Sequence, residues 1–125
     1  MDAGYSGTPL PQKLGIKPDS CVHLLHAPEF LVELLANTVD KAYADVIVLF
    51  VTTQADLEKQ LPHCIEKLAD RGGLWIAWPK KASKQPTDIV EQTLRDIILP
   101  TGLVDNKVCA IDATWSGLRF VRRRT

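Results

Sequence analysis

The chain has 125 residues, 46% of them hydrophobic and 24% charged, with 15 basic and 15 acidic side chains in balance. A single domain of this size buries about two-thirds of its unfolded surface, so a core forms without metal or disulfide staples, a disordered chain is excluded, and no apolar run approaches the roughly 18 residues that cross a bilayer. Residues 1–10 lack the basic and apolar regions of a signal peptide, and three widely spaced cysteines, Cys21, Cys64 and Cys109, point to buried thiols in a reducing, cytoplasmic setting.

Residues 1–8, with Gly4 and Gly7, read as an arm on the domain. Residues 9–14 make a short helix capped by Thr8 and stopped by Gly15. Residues 21–26 form a short strand flanked by prolines, and residues 28–36 place Phe30, Leu31, Leu34 and Leu35 at helical spacing. The strongest element is residues 44–51. Its run from Val46 to Val51 has no polar interruption, as a central parallel strand covered on both faces requires.

Thr53 and Asp56 form a capping-box-like helix start. Leu57, Leu61, Cys64, Ile65 and Leu68 follow at helix spacing. Pro62 predicts a kink or two consecutive short helices, and Gly72-Gly73 predicts the end of that helix. Residues 74–78 are a strand and 79–86 a basic loop. Thr87 then caps a helix with Val90, Leu94, Ile97 and Ile98 on one face, stopped by Pro100 and Gly102. Residues 107–112 and 118–122 flank a turn at 113–117 and form a hairpin.

Strands alternating with helices predict one three-layer, Rossmann-like α/β domain over residues 1–125. Its sheet is expected to be mostly parallel, with a C-terminal antiparallel hairpin at one edge. Charge is divided along the chain: residues 1–62 hold eight acids and four bases, a net of −4, and residues 63–125 hold seven acids and eleven bases, a net of +4. Lys80, Lys81 and Lys84 and the tail Arg119, Arg122, Arg123 and Arg124 supply much of the excess. They read either as an anion-binding patch or as a solvated loop and a frayed basic terminus.

The run Leu14-Gly15-Ile16-Lys17-Pro18-Asp19 resembles the turn that feeds the first strand of class I methyltransferases. Residues 44–121 resemble their later half: a strand, a helix ending in Gly-Gly, a strand, a helix and a hairpin. This resemblance implies a methyltransferase-like fold, shortened. A closer likeness covers nearly the whole chain. Gly4-Tyr5-Ser6-Gly7-Thr8-Pro9-Leu10, Trp78-Pro79-Lys80-Lys81, the run from Gly102 to Asp112 and Thr114-Trp115-Ser116-Gly117-Leu118 are similar to a small bacterial family catalogued only as a domain of unknown function. That likeness implies a family and almost no biochemistry.

In doubly wound sheets ligands sit beyond the carboxyl ends of the strands. Cofactor cradles there need glycine, because backbone approaches the ligand closely. This chain has no glycine between Gly15 and Gly72, and the loop after the first strand is His26-Ala27-Pro28-Glu29. A methyltransferase glycine motif, a dinucleotide fingerprint and a phosphate loop are therefore absent, and no cofactor is expected. Glu29 reads as a dipole-favoured residue at a helix start. His23 and His26, three apart on a strand, face opposite sides and share no metal ion. Cys21 and His23 share a face but make no site alone.

The predicted function is a non-catalytic domain that binds a small anionic ligand or a partner protein at the carboxyl edge of the sheet. The ligand residues are Trp78, Lys80, Lys81 and Thr87, with the loop Ala27, Pro28 and Glu29. Ser83, Lys84 and a helix N-terminus stand beside them, against which Asp88 already supplies negative charge. Tyr5, Trp115 and Ser116 are the partner contacts, Trp115 being placed in the hairpin turn. Two alternatives stand: a diverged methyltransferase-like enzyme with an altered cofactor pocket, and weak nucleic-acid association through Arg122 to Arg124. No membrane partner is expected, and a homodimer stays open.

Overall fold

The computed structural model describes residues 9–35 and 39–124, with Leu34 and Leu35 described by their backbone alone. The expected arm, with Tyr5 and the cap Thr8, lies outside the described residues. The elements are α1 (Leu10–Lys13), β1 (Val22–Leu25), α2 (Glu29–Leu35), β2 (Ala44–Phe50), α3 (Gln54–Lys67), β3 (Leu68–Pro79), α4 (Glu91–Ile98), β4 (Leu103–Ala110) and β5 (Trp115–Arg122). Short 3-10 turns lie at Lys81–Ser83 and Leu99–Thr101. Among the described residues no helix is long and apolar enough to cross a membrane.

The strands form one sheet in the order β1-β2-β3-β5-β4. β1, β2 and β3 pair in parallel, whereas β5 runs antiparallel to both β3 and β4. The sheet is therefore mixed, and the expectation of a mostly parallel sheet is corrected. The hairpin does not add its antiparallel strand at the edge either: β5 returns between β3 and β4. The four residues joining β4 to β5 are too few for a crossover, so the two strands must be antiparallel neighbours. Their composition decides which one goes inside. β5 carries the buried Leu118 and Phe120, while β4 exposes Asn106, Lys107 and Val108 and suits an edge.

Successive residues on each strand serve opposite layers. On β2, Ile47 and Leu49, followed by Val51, pack with Leu57, Leu61 and Cys64 of α3 and Leu94 and Ile98 of α4. Val46, Val48 and Phe50 pack with Leu14 and with Leu31 of α2. The uninterrupted apolar run is thus covered on both faces. Trp75 on β3 is fully buried, and its Nε1 donates to the Leu14 carbonyl at 3.1 Å, tying the end of α1 to the middle of the sheet.

Local signals around α3 and β3 were overridden. α3 runs through Pro62 as one helix. Pro62 and Glu58, whose carbonyl loses its helical partner, both lie on the exposed side of α3, where the lost bond costs least. Gly72-Gly73 does not end the helix. α3 stops at Lys67, and both glycines lie inside β3. A Cβ on Gly72 would stand 2.9 Å from the carbonyl oxygens of Ala44 and Asp45, so β3 needs glycine where it passes β2. Nor is the basic tail frayed. Arg122 Nη2 donates to the carbonyls of Ile65 (2.8 Å) and Leu68 (2.7 Å), closing the C-terminus of α3, and Arg124 donates to the Asp70 carbonyl at 2.8 Å.

Candidate functional site

Three loops meet at the carboxyl ends of β1, β2 and β3. The first leaves β1 through His26, which adopts φ 58°. Ala27 turns inward against the apolar layer under α2. The Pro28 carbonyl accepts from Leu31 N–H (3.0 Å) and Val32 N–H (3.3 Å), which starts α2, and Glu29 in the first turn is exposed.

The second loop leaves β2 and opens α3. Thr53 Oγ1 accepts from Asp56 N–H at 3.1 Å, the capping contact expected from sequence. The register Leu25↔Leu49 sets His26 beside this loop, and His26 Nδ1 lies 3.3 Å from Asp56 Oδ2. Sequence reading missed this half-exposed pair. The signal is visible only in register: one residue past a strand end, and the third residue of the helix after the neighbouring strand.

The third loop follows β3. Trp78 is 7% exposed and packs in the layer under α3 and α4 rather than on the surface. Lys80 N–H donates to the Thr114 carbonyl at 2.7 Å, fixing the loop to the hairpin. Ser83 Oγ donates to the Lys80 carbonyl at 2.7 Å, and Lys84 takes φ 60°. Among the described residues no carboxylate pairs with Lys80, Lys81 or Lys84.

Thr87 is not a helix cap. α4 begins at Glu91, and Thr87 Oγ1 donates instead to the Thr52 carbonyl at 2.7 Å. Asp88 Oδ1 accepts from Gln54 N–H at 2.8 Å, while Gln54 Nε2 donates to the Asp88 carbonyl at 2.9 Å. The negative charge of Asp88 is thereby directed at the positive end of α3. Trp115 is likewise corrected: it lies in β5, opposite Pro79, and not in a turn. It is half-buried, with its ring edge-on to Phe50 at a centroid separation of 5.1 Å. Ser116 is half-buried between Trp78 and Ala110.

The structure therefore gathers Lys80, Trp115 and Ser116 around the end of β3 and ties Thr87 to the loop after β2. The Ala27-Pro28-Glu29 loop stands at the end of β1, with β2 between, about 10 Å away at ordinary strand spacing. Burial pushes the Cys64 thiol up to about 11 and raises that of Cys109, which disfavours the thiolate at both. Among the described residues no three His, Cys, Asp or Glu side chains converge on a metal site.

A family model described as "Protein of unknown function (DUF3052)" matches residues 27–124. The chain belongs to the DUF3052 family. The matched span contains Trp78-Pro79-Lys80-Lys81 and the hairpin motif. No curated protein is detectably similar in sequence. Among solved structures, a putative type 11 methyltransferase from Sulfolobus solfataricus is 14% identical, with 93% of this chain and 90% of that chain covered and a TM-score of 0.68. The fibrillarin/Nop5p complex gives 9% identity, 86% and 75% coverage and a TM-score of 0.55. The M1A22 tRNA methyltransferase of B. subtilis gives 13%, 93% and 66%, and 0.51. These likenesses show that this DUF3052 member has a methyltransferase-like α/β fold.

Proposed function

We propose that this DUF3052 member is a non-catalytic binding domain that takes a small anionic ligand at the carboxyl edge of its sheet, through Lys80 and Lys81. The observation that carries this reading is the disposition of charge there. The loop is held in place by Lys80 N–H on Thr114 and Thr87 on Thr52, its lysines lack carboxylate partners among the described residues, and its one acid, Asp88, is engaged at α3. A positioned, unneutralised cation pair is suited to a carboxylate or phosphate.

The absence of catalysis is read from the first loop. The fold family implies S-adenosylmethionine, and the residues present do not fit it. Pro28 has no N–H to offer, the Ala27 side chain packs into the core, and the His26 imidazole engages Asp56. We read the chain as a shortened methyltransferase-like fold that has kept the edge and lost the cradle. Intramolecular bonding of Arg122 and Arg124 weighs against a nucleic-acid role for the tail.

The test is native mass spectrometry of the protein purified from its own host, followed by thermal-shift titration with carboxylates, nucleotides and S-adenosylmethionine. A bound anion, lost in the double variant Lys80→Ala/Lys81→Ala, is the expected result. A shift with S-adenosylmethionine that survives the double variant would establish the diverged-enzyme alternative, and a captured protein lost with the lysines would make the ligand a partner.

A further inference from the structure

A cleft of about 420 Å³ lies at the opposite end of the sheet from the lysine loop, where the parallel strands begin. Its lining includes Gly15 and Lys17 from the turn after α1, Lys41 and Asp45 before and within β2, Arg71 on β3 and Arg119 on β5. Four cations therefore face two acids, Asp19 and Asp45. Asp45 is already engaged: its Oδ2 binds Lys41 Nζ at 2.9 Å and accepts from Cys21 N–H at 2.8 Å. Asp19 forms no ion pair with Lys17, Arg71 or Arg119. Lys17, Arg71 and Arg119 have no carboxylate partner among the described residues.

Arg119 is the unusual member. It is half-buried, its side chain lies across Gly73, and its guanidinium makes no hydrogen bond to any described residue. A Cβ at position 73 would come within 2.8 Å of its Cζ, so the glycine makes the berth in which the guanidinium lies. A partly desolvated guanidinium without an anion is costly, and burial lowers its proton affinity with no carboxylate among the described residues to restore it. Its planar fork matches two oxygens of a phosphate or carboxylate.

We propose that this amino-edge cleft binds the phosphate group of a small phosphomonoester, with Arg119 as the forked donor and Lys17 and Arg71 neutralising the remaining charge. Three unpaired cations suit a dianion better than a single carboxylate. The volume exceeds that of phosphate and leaves room for the rest of a small molecule, within the range of ordinary ligand pockets. This site is separate from the lysines at the carboxyl edge and does not depend on them.

Titration of the 15N-labelled protein with inorganic phosphate, and with acetate at matched ionic strength, tests the assignment by NMR. Phosphate is expected to give saturable shifts at Gly15, Ser20 and Gly73, with acetate at least tenfold weaker. Arg119→Gln should weaken phosphate at least tenfold, Arg119→Lys by an intermediate factor and Arg71→Ala severalfold, while Lys80→Ala/Lys81→Ala leaves these shifts intact. Since Arg71 is exposed, its variant remains informative if Arg119→Gln does not fold. Absence of saturable shifts, equal response to acetate, phosphate affinity unchanged in the Arg119 and Arg71 variants, or shifts confined to residues 80–84 would each overturn the proposal, the last while supporting the carboxyl-edge reading.

Discussion

The indole of Trp75 and the carbonyl of Leu14, 61 positions apart in sequence, are joined by a 3.1 Å hydrogen bond inside the core. Trp75→Phe keeps an aromatic ring there but leaves the carbonyl without its donor and removes volume from a close-packed layer. We expect a loss of about 1–3 kcal/mol in urea unfolding. If the midpoint is unchanged, the bond does not anchor the end of α1.

Gly72 and Gly73 require glycine for different reasons, and their alanine variants separate them. At Gly72 the new Cβ would meet the main-chain oxygens of Ala44 and Asp45, which cannot move without distorting β2. At Gly73 it would meet a guanidinium at the end of a flexible side chain. Gly72→Ala is expected to cost about 1–3 kcal/mol, and Gly73→Ala less. Equal losses in parallel denaturation curves would contradict this account.

Two lines of legibility meet in this stretch. The apolar run of β2 and the Thr53 cap of α3 were readable because each is written in periodicity or in residues three apart. Gly72-Gly73 was misread because a glycine pair signals a stop locally, and the reason for it here is the backbone of a neighbouring strand. Thr87 fits a cap pattern equally well, yet its partner Thr52 lies 35 positions away. His26 and Asp56 come together only through the pairing of β1 with β2, which no local pattern encodes. The place of β5 inside the sheet depended on the same long-range choice.

Arg122 supplies two charge-assisted bonds, to the Ile65 carbonyl in the last turn of α3 and to the Leu68 carbonyl just beyond it. Arg122→Ala should cost about 2 kcal/mol, whereas Arg123→Ala, whose side chain is exposed, should stay within about 0.5 kcal/mol. Hydrogen exchange should localise the Arg122 effect to the last turn of α3. An effect spread evenly over the domain would mean that the arginine acts otherwise.

Stability should fall in alkaline solution through Cys64. Its thiol is held up to about 11 by burial, against an ordinary value of 9.0. Between these values the unfolded chain releases a proton that the native state keeps, so unfolding gains as pH rises. Cys109 is displaced in the same direction. Cys64→Ala should be less stable by about 1 kcal/mol at pH 8, and the gap should narrow by pH 10.5 because the variant has no thiol at this position to ionise. A gap of constant width across urea titrations at several pH values would refute the assignment.

The insertion of β5 between β3 and β4 has a consequence for biosynthesis. β4 meets the rest of the sheet through β5, so a nascent chain that has emerged only as far as residue 114 has an open flank on β3 and a detached ribbon. The layered interior cannot close as translation proceeds from the N-terminus. It closes when the segment around Phe120 clears the ribosome, and until then the unpaired edge of β3 is open to chaperones or to aggregation.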